Sequence, residues 1–77
     1  MSENIVGHRM RIARAMKNPP MNQQALLAKL QTEGIDISQS TLSKIENDDR
    51  YVKDIELKAI AKVLGVSILW LMNESDD

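Results

Sequence analysis

Cysteine is absent from this 77-residue chain, and in so short a sequence that absence narrows the possible folds sharply. No disulfide can staple the chain, and thiolate metal sites and thiol nucleophiles are removed with it. A domain of this size buries only about 60–65% of its unfolded surface. Without a staple or a metal it has to rest on closely packed helices or sheets, and the length allows one domain rather than two.

Local signals favour helices. Asn4 can cap a first helix running to about Lys17, with Val6, Met10 and Ala13 on one stripe. Asn18-Pro19-Pro20 stops it, because proline donates no backbone hydrogen bond and pushes its predecessor out of helical geometry. Asn22 caps a second helix through Gln31 or Thr32, with Leu26, Leu27 and Leu30 inward, and Gly34 is its left-handed stop. Ser38 caps a third helix, Gln39 to about Asn47, burying Leu42 and Ile45. Asp54 is expected to cap a fourth, in which Leu57, Ile60, Ala61 and Leu64 follow the i, i+3, i+4, i+7 rule up to Gly65. Ser67 caps a last short helix from Ile68 to Met72. Only Ile35-Asp36-Ile37 alternates with period two, so the expected fold is all-α with five helices. Residues 1–72 form the expected domain, and residues 73–77, with Glu74, Asp76 and Asp77, an acidic frayed tail.

Several function classes find no support. His8 is the only histidine, and without cysteines or a carboxylate motif it makes no metal site; a solvated or half-buried helical position accounts for it. Asp48 and Asp49 are neighbours in a helix-terminating loop, not acids converging on a cleft. Gly7, Gly34 and Gly65 are scattered and form no phosphate loop. The expectation is therefore no enzyme, no cofactor, no metal and no small-molecule ligand. Tyr51 and Trp70 are the only aromatic residues, which speaks against base stacking on single strands. The start Met1-Ser2-Glu3-Asn4 lacks the basic and apolar character of a signal peptide. The apolar stretch Ala59 to Met72 is broken by Lys62, Gly65 and Ser67 and is shorter than the roughly 17–25 residues of a bilayer span. No membrane partner is expected, and a cytoplasmic setting is.

The informative stretch is Ser38 to Asn47, SQSTLSKIEN. At about 100° per residue, Leu42 and Ile45 share one side with Glu46 at its edge, while Gln39, Ser40, Ser43, Lys44 and Asn47 fall on the other. A solvated helix face usually carries Glu and Lys set four apart for mutual pairing. This one bears amides, hydroxyls and one lysine, with no acid. Such groups suit base edges in the major groove: Gln can bond adenine N6 and N7, Lys can reach guanine O6 and N7, and Ser serves either role.

This stretch resembles the helix-turn-helix of the phage repressor/Cro family, also called the xenobiotic-response-element type. Val6-Gly7-His8-Arg9-Met10-Arg11-Ile12-Ala13-Arg14 is similar to that family's first helix, and Met21-Asn22-Gln23 to the entry of its second. Ser38 to Asn47 resembles the recognition helix, and Leu64-Gly65-Val66-Ser67 with Trp70-Leu71 resembles the closing segment. The resemblance implies a compact five-helix, lambda-repressor-like domain that binds double-stranded DNA. It implies that Gln39, Ser40 and Lys44 read bases, with Ser43 a weaker candidate, that Gln23, Asn47 and Arg50 bond phosphates, and that Arg14 and Glu46 form an ion pair tying the first helix to the recognition helix.

There are departures. The segment Gln31 to Ile37 is about five residues longer than the family's usual short turn, and Ile35 and Ile37 are expected to tuck it into the core rather than leave it exposed. Leu27 stands where the family favours a small Ala, and Asp48-Asp49 replace the glycine that usually follows the recognition helix. Two acids beside a phosphate path weaken binding unless they turn away or pair with Arg50 or Lys53.

Ile68-Leu69-Trp70-Leu71-Met72 puts five apolar residues into little more than one turn, more than one small domain can cover, with Ile12 and Met16 adding a second apolar edge. Self-contact through Ile68, Leu69 and Met72 is expected, giving a homodimer that reads a palindromic operator. The sequence thus points to a transcriptional regulator, acting as a repressor on nucleoid DNA in a prokaryotic or phage setting. A protein–protein adaptor on the same fold, antitoxin-like or an anti-regulator, is the alternative favoured by Asp48-Asp49 and the apolar end. The net charge of −1 does not exclude a DNA binder, since setting the three tail acids aside turns the balance positive. It limits the kind to one of modest non-specific affinity, whose specificity rests on few contacts and on pairing two subunits.

Overall fold

A computed structural model describes residues 6–72 of the chain. It is all-helical over that range: α1 (Val6–Ala15), α2 (Gln23–Thr32), α3 (Gln39–Glu46), α4 (Asp54–Leu64) and α5 (Ile68–Leu71). The expected Asn4 cap and the expected acidic tail lie outside the described residues.

The boundaries follow local chemistry. The side chains of Asn22, Ser38 and Ser67 each accept a hydrogen bond from the amide three residues on, Ala25, Thr41 and Trp70 respectively, opening α2, α3 and α5. Beyond Ala15 the chain loosens: the Met16 amide still donates to the Ile12 carbonyl, Lys17 donates only to Arg14, and the Asn18–Pro19 bond is cis. Helix α4 closes on Gly65, at φ +72°. Its opening differs by one residue from expectation. Lys53 occupies the cap, Asp54 is the first helical residue, and the carboxylate of Glu56 accepts the Lys53 amide at 2.9 Å. Lysine has no side-chain acceptor, so the acid one turn inside satisfies this amide instead.

The core is continuous through all five helices. Met10, Leu26, Leu30, Leu42, Ile45, Ile60, Leu64 and Leu71 are fully buried, with Val6, Ala13, Ala59 and Ala61 around them. Leu27 and Leu57, expected inward, are only partly buried against this cluster.

Two packing features place the helices that follow. Gly7 lies where α1 crosses the end of α3: a methyl group there would sit within 2.7 Å of the Glu46 carbonyl oxygen and closer still to that of Ile45. Only a residue without Cβ allows this approach. The long α2–α3 connection is anchored to the core through its two isoleucines. Gly34, at φ +87°, turns the chain, the Ile35 amide returns to the Leu30 carbonyl at 3.0 Å, and the Ile35 side chain enters the core with Ile37 packed at its edge.

Candidate nucleic-acid interface

The recognition helix candidate α3 is anchored from below by one carboxylate. Arg14, from α1, donates Nε to Glu46 Oε2 at 2.8 Å and Nη2 to Oε1 at 2.7 Å. Its remaining fork atom, Nη1, donates to the Met21 carbonyl at 3.0 Å and so holds the loop that enters α2. Gln23, the first residue of α2, donates Nε2 to the same Glu46 Oε1 at 3.1 Å. Glu46 is 3% exposed, so its charge is removed from water and compensated by three donors.

The network reaches the outer face of α3. Gln23 Oε1 accepts the Ser43 hydroxyl at 3.0 Å and the Gln39 amide, weakly, at 3.4 Å. Of the sequence-predicted base-reading residues, Gln39, Ser40 and Lys44 are exposed on α3 and Ser43 is half-buried beneath them. Buried Leu42 and Ile45 on the opposite side fix the rotation of the helix. Gln23 sits at the junction of α2 and α3, half-buried, and Asn47 is the exposed C-cap of α3. The expected ion pair of Arg14 with Glu46 is present; the Gln23 bond to the same carboxylate had no signal in the sequence, because no spacing rule links positions 23 and 46.

The corner after α3 is built without glycine. Asp48 adopts φ +67°, a region that Asp visits more readily than most residues but at a cost. The Asp49 amide returns to the Lys44 carbonyl at 2.8 Å. Arg50 then turns inward. Its Nη1 donates to Glu56 Oε1 at 2.9 Å and to the Tyr51 carbonyl at 3.1 Å, and its Nη2 donates to Glu56 Oε2 at 3.0 Å. That fork holds the Glu56 carboxyl below the usual carboxylate range; burial opposes the shift and the Lys53 amide reinforces it. Arg50 thus forms an ion pair with Glu56.

The remaining candidates are at the far end of the chain. Leu69 and Met72 are 56% and 44% exposed, Ile68 is half-buried, and Leu71 is the buried anchor of α5. Arg9 stacks over the Trp70 ring at 4.6 Å from its centroid, joining α1 to α5 by a cation–π contact that the sequence did not announce. Met16 is exposed and His8 is exposed, while Ile12 is half-buried. Among the described residues no cluster of His, Cys, Asp or Glu could hold a metal ion, and no helix is long and apolar enough to cross a membrane.

A helix-turn-helix family model matches residues 32–71, just over half of the chain. The protein belongs to that family, the Cro/C1-type helix-turn-helix, a class of DNA-binding regulators. The match begins at the last residue of α2 and takes in the long connection, α3, α4 and α5. No curated protein and no solved structure matches the chain.

Proposed function

We propose that the protein is a sequence-specific transcriptional regulator that binds double-stranded DNA, acting as a repressor at a palindromic operator in the form of a homodimer. The observation that carries this reading is the bonded path Arg14–Glu46–Gln23–Ser43, which locks α1, α2 and α3 together beneath an outer face of amides, hydroxyls and one lysine. Base readout needs side chains held in place before contact, and this path holds Ser43 directly and Gln39 through a longer bond. Gln39, Ser40, Ser43 and Lys44 read base edges in the major groove. Gln23, through its second Nε2 hydrogen and its amide at the opening of α2, and Asn47, at the end of α3, bond phosphates and set register. Residues 1–72 form the DNA-binding domain and 73–77 its acidic tail, and the working setting is a prokaryotic or phage cytoplasm, on nucleoid DNA.

Ile68, Leu69 and Met72 supply the self-contact. Two subunits joined there set their recognition helices about 34 Å apart, one turn of duplex. Selection from a random duplex library at two salt concentrations tests the whole reading. An enriched palindrome whose affinity falls steeply with salt supports it.

The adaptor alternative draws on the acid pair Asp48-Asp49 beside α3 and on the apolar exposure of Leu69 and Met72. It calls for no enriched sequence and no salt-steep binding in the same selection, with a protein partner meeting α5.

A further inference from the structure

We infer that Arg50 is a positioning residue: clasped by the buried Glu56, it shapes the loop between α3 and α4 and makes no phosphate contact of its own. The inference rests on the DNA-binding reading and assigns a role within that interface.

Geometry carries it. The guanidinium meets both oxygens of Glu56 and the Tyr51 carbonyl, a planar fork on a planar carboxylate. Glu56 is 5% exposed. Were Arg50 to swing out to a phosphate, that carboxylate would keep the Lys53 amide and lose its ion partner in a poorly solvated place. A lysine could share itself between two anions through three rotating hydrogens, but an arginine already bidentate on one carboxylate gives up both bonds to leave.

The clasp also has something to position. Between α3 and α4 the chain is pinned at its start by the Asn47, Asp48 and Asp49 amides, which return to the Ser43, Ile45 and Lys44 carbonyls. At its end it is pinned by Glu56, which receives both the Arg50 side chain and the Lys53 amide. Glu56 sits in the first turn of α4, so one carboxylate couples the start of that helix to the residue that fixes the exit path from α3. Asn47 caps α3 at the head of this loop, and the Asp49 amide ties the loop back to the Lys44 carbonyl, so its path borders the Lys44 end of the helix. The left-handed Asp48 is held within the same frame.

Glu56→Gln separates the possibilities because it reverses the sign of the outcome. If Glu56 merely competes with DNA for Arg50, releasing the arginine strengthens binding. If Arg50 positions the loop, the same change weakens it. The probes are the duplex recovered from random-library selection and a scrambled duplex of equal length, followed by fluorescence anisotropy over a salt series. We expect Glu56→Gln and Arg50→Met each to lower affinity for the selected duplex with the slope of log affinity against log salt unchanged, and the double variant to be no weaker than Arg50→Met. Lys44→Ala, a direct contact, serves as the control. Tighter binding by Glu56→Gln, or a slope shallower by about 0.9 in Arg50→Met, overturns the inference. If Arg50→Met fails to fold, Glu56→Gln and Arg50→Lys carry the comparison. Hydrogen exchange at the Asp49 amide reports the clasp without DNA: faster exchange in the variants, with core amides unchanged, supports the inference, and unchanged Asp49 protection overturns it. A wild type that binds no duplex at all defeats the DNA-binding reading, and the Asp49 exchange then still decides whether the clasp shapes the loop.

Discussion

Arg14 and Glu46 are 32 positions apart and form a two-bond ion pair with side chains only 17% and 3% exposed. Removing one member leaves the other charge in poorly solvated surroundings. Glu46→Ala should therefore cost about 2–4 kcal/mol, somewhat below a fully buried case because Arg14 keeps some contact with water. DNA affinity should fall as well, although Glu46 touches no base, since Gln23 loses its anchor. Thermal unfolding and duplex titration read the two effects separately. Replacing both partners by apolar residues, Arg14→Met with Glu46→Leu, should recover much of the stability and little of the affinity.

Gly7→Ala tests the crossing of α1 over α3. In an open helix the change gains about 1 kcal/mol of propensity. Here the new methyl meets the backbone carbonyls of Ile45 and Glu46, which cannot rotate away as a side chain can. The helices must separate, and we expect a net loss of about 1–3 kcal/mol, in the range of overpacked cores. A stability equal to or above wild type in chemical denaturation contradicts the close approach.

Base readers and phosphate binders should fail differently. Gln39→Ala and Lys44→Ala should each cost about 1–3 kcal/mol on the selected duplex and relax preference at one position. Gln23→Ala should weaken selected and scrambled duplexes together, and also loosen Gln39 and Ser43, which its carbonyl oxygen receives. Affinity measured on a panel of singly substituted duplexes distinguishes the two patterns.

Stability should depend on acid through Glu56. Its carboxyl is held low by Arg50 in the folded state, so the unfolded chain binds the proton more readily. The contribution is fully present above the ordinary carboxylate value of about 4.3 and is lost as pH falls below it, through the folded value. Glu56→Gln should flatten the fall in melting temperature over that acidic window. A wild type and variant with parallel profiles there contradict the coupling.

Leu69→Asp should give a monomer with sharply reduced affinity for a palindromic duplex, because it places a charge in the proposed self-contact. Sedimentation of both proteins reads the first effect, and titration of a half-site against the full palindrome reads the second. A wild type that sediments as a monomer at concentrations where it occupies the palindrome contradicts the dimer.

What the sequence disclosed was local. Asn22, Ser38 and Ser67 announce their helices because a cap is a bond to an amide three residues away, and Gly34 and Gly65 mark stops because few other residues accept a left-handed turn. The one-residue shift at Lys53 has the same origin: Asp54 looks like a cap, but Glu56 reaches back and satisfies the preceding amide. Gly7 could not be read so easily, since a lone glycine in a helical pattern carries no hint of which backbone will approach it. Arg14 with Glu46 was legible through family resemblance, whereas Arg50 with Glu56 was not. The latter pair lies six positions apart across a loop whose reversal no periodicity describes. Leu27, expected to face inward, is only partly buried, consistent with a core whose centre on α2 is formed by Leu26 and Leu30.

Asp48 keeps a left-handed backbone without glycine and sets a negative charge beside the end of α3. On a genome almost every encounter is with the wrong sequence, and residence there is governed by phosphate attraction alone. In the DNA-binding reading proposed above, an acid at this corner shortens such visits at every site equally, leaving the contacts proposed for Gln39 and Lys44 to decide where the protein stays. On that reading the left-handed corner exchanges affinity for speed of search. Asp48→Gly is the change by which the same fold would become more stable and slower to leave DNA it has no reason to occupy.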